Sequence, residues 1–124
     1  MRYTREQHEQ IILVSWFYTQ FPFFADDLHH FANERKCSMQ QGALLKRMGV
    51  KRGVSDLFLG IPNNGYHGLW LELKVEKGKL TKEQISFIER KNQKGYFAIA
   101  VWGFESAKLV ILDYLKGYNA ISIK

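Results

Sequence analysis

A mixed β-sheet flanked by helices, an α/β or α+β sandwich, is the fold class this 124-residue chain predicts. Three observations predict it. Helical patterns and short apolar runs alternate along the chain in the order α, β, α, β, β, α, β, α, with a short edge strand over 120–123 at the end. Two segments carry the Ser/Thr-x-x-Gln spacing of a capping box, Ser38 with Gln41 and Thr81 with Gln84. One segment, 69–75, alternates strictly, with Leu69, Leu71, Leu73 and Val75 on one face and Trp70, Glu72 and Lys74 on the other. A composition of 46% hydrophobic and 24% charged residues fits one domain over 1–124.

Residues 5–20 form the first helix. Behind a polar first turn they carry Ile11, Ile12, Leu13, Val14, Trp16, Phe17 and Tyr18 without Gly or Pro, so one side is largely buried. Pro22 marks a turn, and 28–32 is a short strand. The Ser38 box opens a helix through Ala43, Leu44, Leu45 and Met48 that Gly49 ends. Apolar 54–59 and alternating 69–75, joined by a turn through Ile61 to Tyr66, are two strands that can pair as a hairpin. The Thr81 box opens a helix with Ile85 and Ile88, closed by Gly95. A buried strand at 96–102 and a helix at 105–115 follow.

Charge narrows the function. The net charge is +6 and the pI about 9.5, which favours an anionic partner, nucleic acid first. The excess is concentrated: residues 34–54 sum to +5 and 72–96 to +3, and they flank the acidic Asp56. No apolar run is long enough to span a membrane, and the first residues lack a secretory signal, so the chain is expected to stay in the compartment that makes it. The lone cysteine, Cys37, excludes an internal disulfide and a cysteine zinc cluster. The histidines at 8, 29, 30 and 67 lack metal-ligand spacing, and all four are left out of the site.

The informative cluster is Asp56, Glu72 and Lys74. Period-2 geometry puts Glu72 and Lys74 on one strand face, about 7 Å apart at roughly 3.3 Å per residue, and Asp56 joins them if the hairpin pairs in register. Two adjacent carboxylates repel unless a divalent cation lies between them, and oxygen-only donors suit Mg²⁺ or Mn²⁺. A neighbouring ammonium can then orient water and stabilise phosphate charge. That chemistry is phosphodiester hydrolysis. By itself the spacing also fits a solvated surface pair, and the basic flanks are what favour the first reading.

Taken in order, Gly49-Val-Lys-Arg-Gly-Val-Ser-Asp-Leu57, Gly68-Leu-Trp-Leu-Glu-Leu-Lys74 and Gly78-Lys-Leu-Thr-Lys-Glu-Gln84 leading to Gly95-Tyr96 resemble the virus-type replication-repair nuclease (VRR-NUC) domain. This is a branch of the PD-(D/E)xK nucleases, and the resemblance runs from about residue 6 to residue 115. It implies an αβββαβ core with 28–32 as first strand. It implies Asp56, Glu72 and Lys74 as the catalytic set, with the Leu73 carbonyl as a further metal ligand, and roles for Gln84 and for a glutamate of the first helix, Glu6 or Glu9. Two positions depart from the family pattern. Ser55 stands where proline is usual before the metal-binding Asp, and Ala32-Asn-Glu-Arg-Lys36 keeps only Asn33 of a Pro-Asn-Gly-Gly stretch.

Several of these residues have a second reading. Glu6 and Glu9 complement the dipole of their helix wherever the site lies, and Gln84 is also the reciprocal partner in the Thr81 capping box. Lys36, Lys46, Arg47, Lys51 and Arg52, with Lys77 from the second basic stretch, are candidate DNA contacts as a group. Trp16, Phe17, Trp70 and Trp102 read as core rather than as base-stacking platforms. The reading is a small endonuclease that uses Mg²⁺ or Mn²⁺ on DNA, with a homodimer suited to two-stranded cleavage; the resemblance implies a stand-alone, phage-type enzyme, cytoplasmic in a bacterial host, acting on branched DNA or repair intermediates rather than plain duplex. The alternatives are a monomeric nicking or flap nuclease and a non-catalytic DNA-binding module.

Overall fold

A computed structural model of the chain describes residues 2–31 and 38–118. Helix α1 (Arg5–Gln20) leads through a 3-10 helix (Pro22–Asp27) into strand β1 (Leu28–His30). Then follow α2 (Met39–Arg47), β2 (Leu57–Leu59), β3 (Leu69–Lys74), α3 (Lys82–Gln93), β4 (Phe97–Trp102) and α4 (Phe104–Leu115). The four strands lie in the order β1-β2-β3-β4. The first three are antiparallel, while β4 runs parallel to β3 after the α3 crossover, so the sheet is mixed and flanked by helices as expected. Among the described residues no helix is long and apolar enough to cross a membrane.

Both capping boxes read from sequence are present, and a third opens α1, where Thr4 Oγ1 accepts from Gln7 N–H and the Gln7 side chain reaches back to Thr4 N–H. The Thr-x-x-Gln spacing of residues 4 to 7 is the signal for it. The hairpin between β2 and β3 turns at Asn64 (φ 53°) and Gly65 (φ 84°), a pair of positive φ values that Asn-Gly accommodates best. Asn63 and Asn64 then donate to Tyr114 O, and the Tyr114 hydroxyl donates to Ile61 O, so the turn is latched to the end of α4.

Helices α1 and α4 pack on one face of the sheet through Leu13, Phe17, Ala107 and Ile111 against Leu57, Leu59, Leu69, Leu71 and Leu73. On the other face α3 covers Trp70 and Ala98 with Phe87. All six β3 residues are therefore buried, Glu72 and Lys74 included. Burial of a charged pair inside a central strand makes this the costliest place in the sheet to keep one.

Five expectations change. The strand expected over 54–59 is only Leu57–Leu59, because the Asp56 carboxylate, not a β2 carbonyl, takes the Leu73 N–H and ends the ladder there. The turn at Pro22 is a full 3-10 helix, since proline presets the helical φ and Ala25 and its neighbours continue it. The first strand stops at His30, and Trp102 is 42% exposed at the strand end, its Nε1 donating to Gly78 O, so it is not core. On α1 only Leu13 and Phe17 are fully buried. The 120–123 strand and the Ala32–Lys36 stretch, with Lys36 and Asn33, lie outside the described residues.

Gly53 holds the loop before β2 against α3. Its φ is +85°, and a Cβ there would lie 2.5 Å from the Glu83 carbonyl carbon. Gly53→Ala is expected to cost on the order of 2–3 kcal/mol, lowering the melting temperature by roughly 10 °C in a thermal scan. An unchanged melting temperature would mean that the loop is free to back away from the helix.

Candidate active site

The polar end of the α3-facing side of β3 carries the site. Trp70 is packed under Phe87, and the next two residues with the same orientation are Glu72 and Lys74. The β2–β3 register pairs Leu57 with Leu71, which places Asp56 beside Glu72. Asp56 Oδ2 accepts from Leu73 N–H at 2.9 Å, so the main chain of β3 orients this carboxylate. Lys74 Nζ lies 3.5 Å from Glu72 Oε2. Gln84 Nε2 donates to the same oxygen at 3.3 Å, while its Oε1 accepts from Thr81 N–H. Gln84 therefore closes the cap of α3 and also bonds the glutamate.

Electrostatically the pair is strained. Burial pushes the Glu72 carboxyl up to about 8, the charge of Asp56 adds to the shift, and Lys74 opposes it. Asp56 is raised too, chiefly by burial, against the Leu73 N–H and the charges of Lys74 and His30. Glu72 is 1% exposed, and its Oε1 has no hydrogen-bond partner among the described residues. A buried carboxylate oxygen without a donor is costly, and a cation placed between the two acids would satisfy it. Asp56 and Glu72 are the side chains able to hold one, with the carbonyl of Leu73, the residue after Glu72, as a further oxygen. Among the described residues no group of three or more His, Cys, Asp or Glu gathers into a metal-binding cluster.

The remaining predicted residues fall in different places. Glu9 Oε1 accepts from Phe104 N–H at 2.8 Å and caps α4, whose N-cap is a glycine without a side chain to do so. Glu6 sits in the first turn of α1. Lys46 and Arg47 are in the exposed last turn of α2 and Lys77 is exposed after β3. Lys51 and Arg52 line an open cleft against α3. Ser55, the departure from the family pattern, is buried beside Asp56.

His30 was excluded by its lack of metal spacing, yet it touches the site. Its Nδ1 lies 2.9 Å from Asp56 O and 3.0 Å from Gln10 Nε2; the Nδ1–H tautomer donates to the carbonyl and ties β1 to the Asp56 main chain, whereas the other tautomer accepts from Gln10 instead. Phe31 N–H donates to the same carbonyl. No spacing in the sequence signals this, because it depends on the β1–β2 register.

The VRR-NUC domain model matches residues 2–104, from the start of α1 to the end of β4 and every site residue between. The chain belongs to the VRR-NUC family. A solved structure described as a VRR_NUC domain protein is similar to it at 30% identity and a TM-score of 0.81, covering 94% of this chain and 92% of that one. No curated protein matches it. As a VRR-NUC member the chain is part of a nuclease family, and its mixed sheet with flanking helices is that family's fold.

Proposed function

We propose that this VRR-NUC protein is a divalent-metal-dependent DNA endonuclease, selective for branched or junction DNA and active in the compartment where it is made. The observation that carries the reading is the pair of half-buried Asp56 and buried Glu72, whose Glu72 Oε1 lacks a donor among the described residues while Lys74 stands 3.5 Å from the other oxygen. Uncompensated acids buried in a basic protein are destabilising unless something cationic joins them. Oxygen-only donors fit Mg²⁺ or Mn²⁺, which hold carboxylates and phosphate oxygens together and keep several waters.

Asp56 and Glu72 would hold the ion, with Leu73 O beside them. When bound it would supply Lewis-acid polarisation of the phosphate and acidify a water. The chain's own residues do the rest. Lys74 orients the attacking water and balances charge on the phosphate as it becomes five-coordinate. Gln84, anchored by Thr81, keeps Glu72 Oε2 from rotating. His30 Nδ1–H and Phe31 N–H, both on Asp56 O, hold the Asp56 main chain in place. The exposed cations Lys46, Arg47, Lys51, Arg52 and Lys77 draw the phosphate backbone toward the site.

A domain of this size covers only a short length of duplex, which favours selection by DNA shape over base reading. A two-fold homodimer would present two identical sites to a four-way junction and make paired cuts. Cleavage of a four-way junction, a flap, a linear duplex and a single strand of shared sequence, each with Mg²⁺, Mn²⁺ or EDTA, tests the reading. Cutting of the branched substrates is expected to exceed that of the linear duplex at least about tenfold, and to stop in EDTA. Equal, sequence-specific cutting of the linear duplex would exclude shape selection, and hydrolysis in EDTA would exclude the metal.

A further inference from the structure

Outside the Asp56–Glu72–Lys74 centre, the loop before β2 and the exposed flank of α3 enclose a cleft of about 530 Å³, lined by Lys51, Arg52, Lys82, Glu83, Ser86 and Arg90. Four cations against the single Glu83 leave it at +3. Among the described residues none of these four cations forms a salt bridge, so their charge is unspent. We infer that this cleft is a second phosphate-binding site, which holds the nucleic-acid backbone along α3 at nucleotides away from the scissile bond. The inference rests on the nuclease reading above and names how that site positions its substrate.

Two features of the geometry favour an extended backbone over a small anion. Lys82, Ser86 and Arg90 are spaced by four residues, so they form one stripe along α3 and span about 12 Å at roughly 1.5 Å per residue. That is a row of donors reaching past a single phosphate. The cleft is also open to solvent along its length, and Glu83 within it disfavours a lone anion that would have to sit beside it, whereas a strand carrying several phosphates gains from the row as a whole.

The cleft is also built, not incidental. Gly53, at φ +85°, brings the loop so close that a Cβ would meet Glu83 main chain at 2.5 Å, which fixes Lys51 and Arg52 opposite the stripe. On the buried side of the same helix turn, Gln84 bonds Glu72. One rigid helix therefore carries the stripe and a contact to the candidate active site, so a strand seated on the first has a defined position at the second.

Fluorescence anisotropy in EDTA tests this with a labelled 30-base-pair duplex, titrated across salt concentrations so that binding is read without cleavage. The pair Lys82→Gln/Arg90→Gln is compared with Lys108→Gln/Lys116→Gln, which removes the same charge from α4 and its end on the other face of the sheet. The first pair is expected to weaken binding about tenfold and to make the log–log salt slope shallower by about two units, whereas the second changes both little. Circular dichroism checks that each variant is folded, and Lys82→Gln alone, with a slope change of about one unit, serves if the double variant is not. Equal effects of the two pairs, with wild-type binding and cleavage intact, would overturn the cleft and leave the nuclease reading standing. Wild-type protein that neither binds nor cleaves DNA would overturn both. Saturable binding of inorganic phosphate at micromolar concentration, lost in Lys82→Gln/Arg90→Gln, would show a small-anion site and overturn the backbone track.

Discussion

Removing either acid is expected to reduce DNA hydrolysis on the order of 10³-fold or more, in Asp56→Ala or Glu72→Gln, while duplex affinity measured in EDTA stays within about twofold of wild type. The separation follows from where the charges lie. In the proposed reading affinity comes from exposed cations on α2, α3 and the loop between α2 and β2, whereas Glu72 is buried and Asp56 half-buried, and both oppose a polyanion if they act on it at all. Lys74→Ala is expected to lose on the order of 10²–10³-fold, because one charge-stabilising group is worth that much in a water-poor site. Gln84→Ala, which only orients Glu72, is expected to lose about 10-fold to 100-fold. Single-turnover cleavage at saturating protein reads each effect on the chemical step. Full activity in a purified Glu72→Gln protein would remove Glu72 from the chemistry, whatever the fold.

The second large effect is on stability. Burial pushes the Glu72 carboxyl from 4.5 up to about 8, so the folded protein holds that proton more tightly than the unfolded chain does. The contribution is fully present below pH 4.5 and is lost as the pH rises through about 8. Asp56, also raised, acts in the same direction. Cation-free protein is therefore expected to lose on the order of 5–10 °C in melting temperature from pH 4.5 to pH 8, and Glu72→Gln should flatten most of that slope. Ions and protons compete for the same oxygens, so Mg²⁺ or Mn²⁺ should raise the melting temperature more at the upper end of this range than at the lower. A flat profile in EDTA would show that the acids are solvated, and an equal cation effect at both ends would show that the ion binds elsewhere.

Some of the site was legible because it depends on local rules. Alternation along 69–75 placed Glu72 and Lys74 on one face, and the Thr81–Gln84 spacing predicted the start of α3, while a site role for Gln84 was what the family resemblance implied. Strand periodicity and capping involve residues two to four apart, so they are written in the chain directly. Asp56 needed one further assumption, an in-register hairpin, which the Asn64–Gly65 turn supplies.

Other features depend on which segments meet. The closeness of His30 to Asp56 follows from β1 pairing with β2 across 26 residues, and Glu9 caps α4 across 95. The Lys82–Ser86–Arg90 stripe is visible as a spacing, but only packing of the Gly53 loop on α3 turns it into one wall of a cleft. Trp102 shows the same limit from the other side: its place in an apolar run says core, while its position at the open end of β4 leaves it exposed. Order and type of the elements, the cation-rich flanks and the Asp-Glu-Lys set were thus determined by sequence alone, through short-range periodicity and charge. Burial of Glu72 and half-burial of Asp56, the shift in their protonation and the joining of distant cations were decided by tertiary packing, because desolvation and Coulomb interaction depend on distance in space.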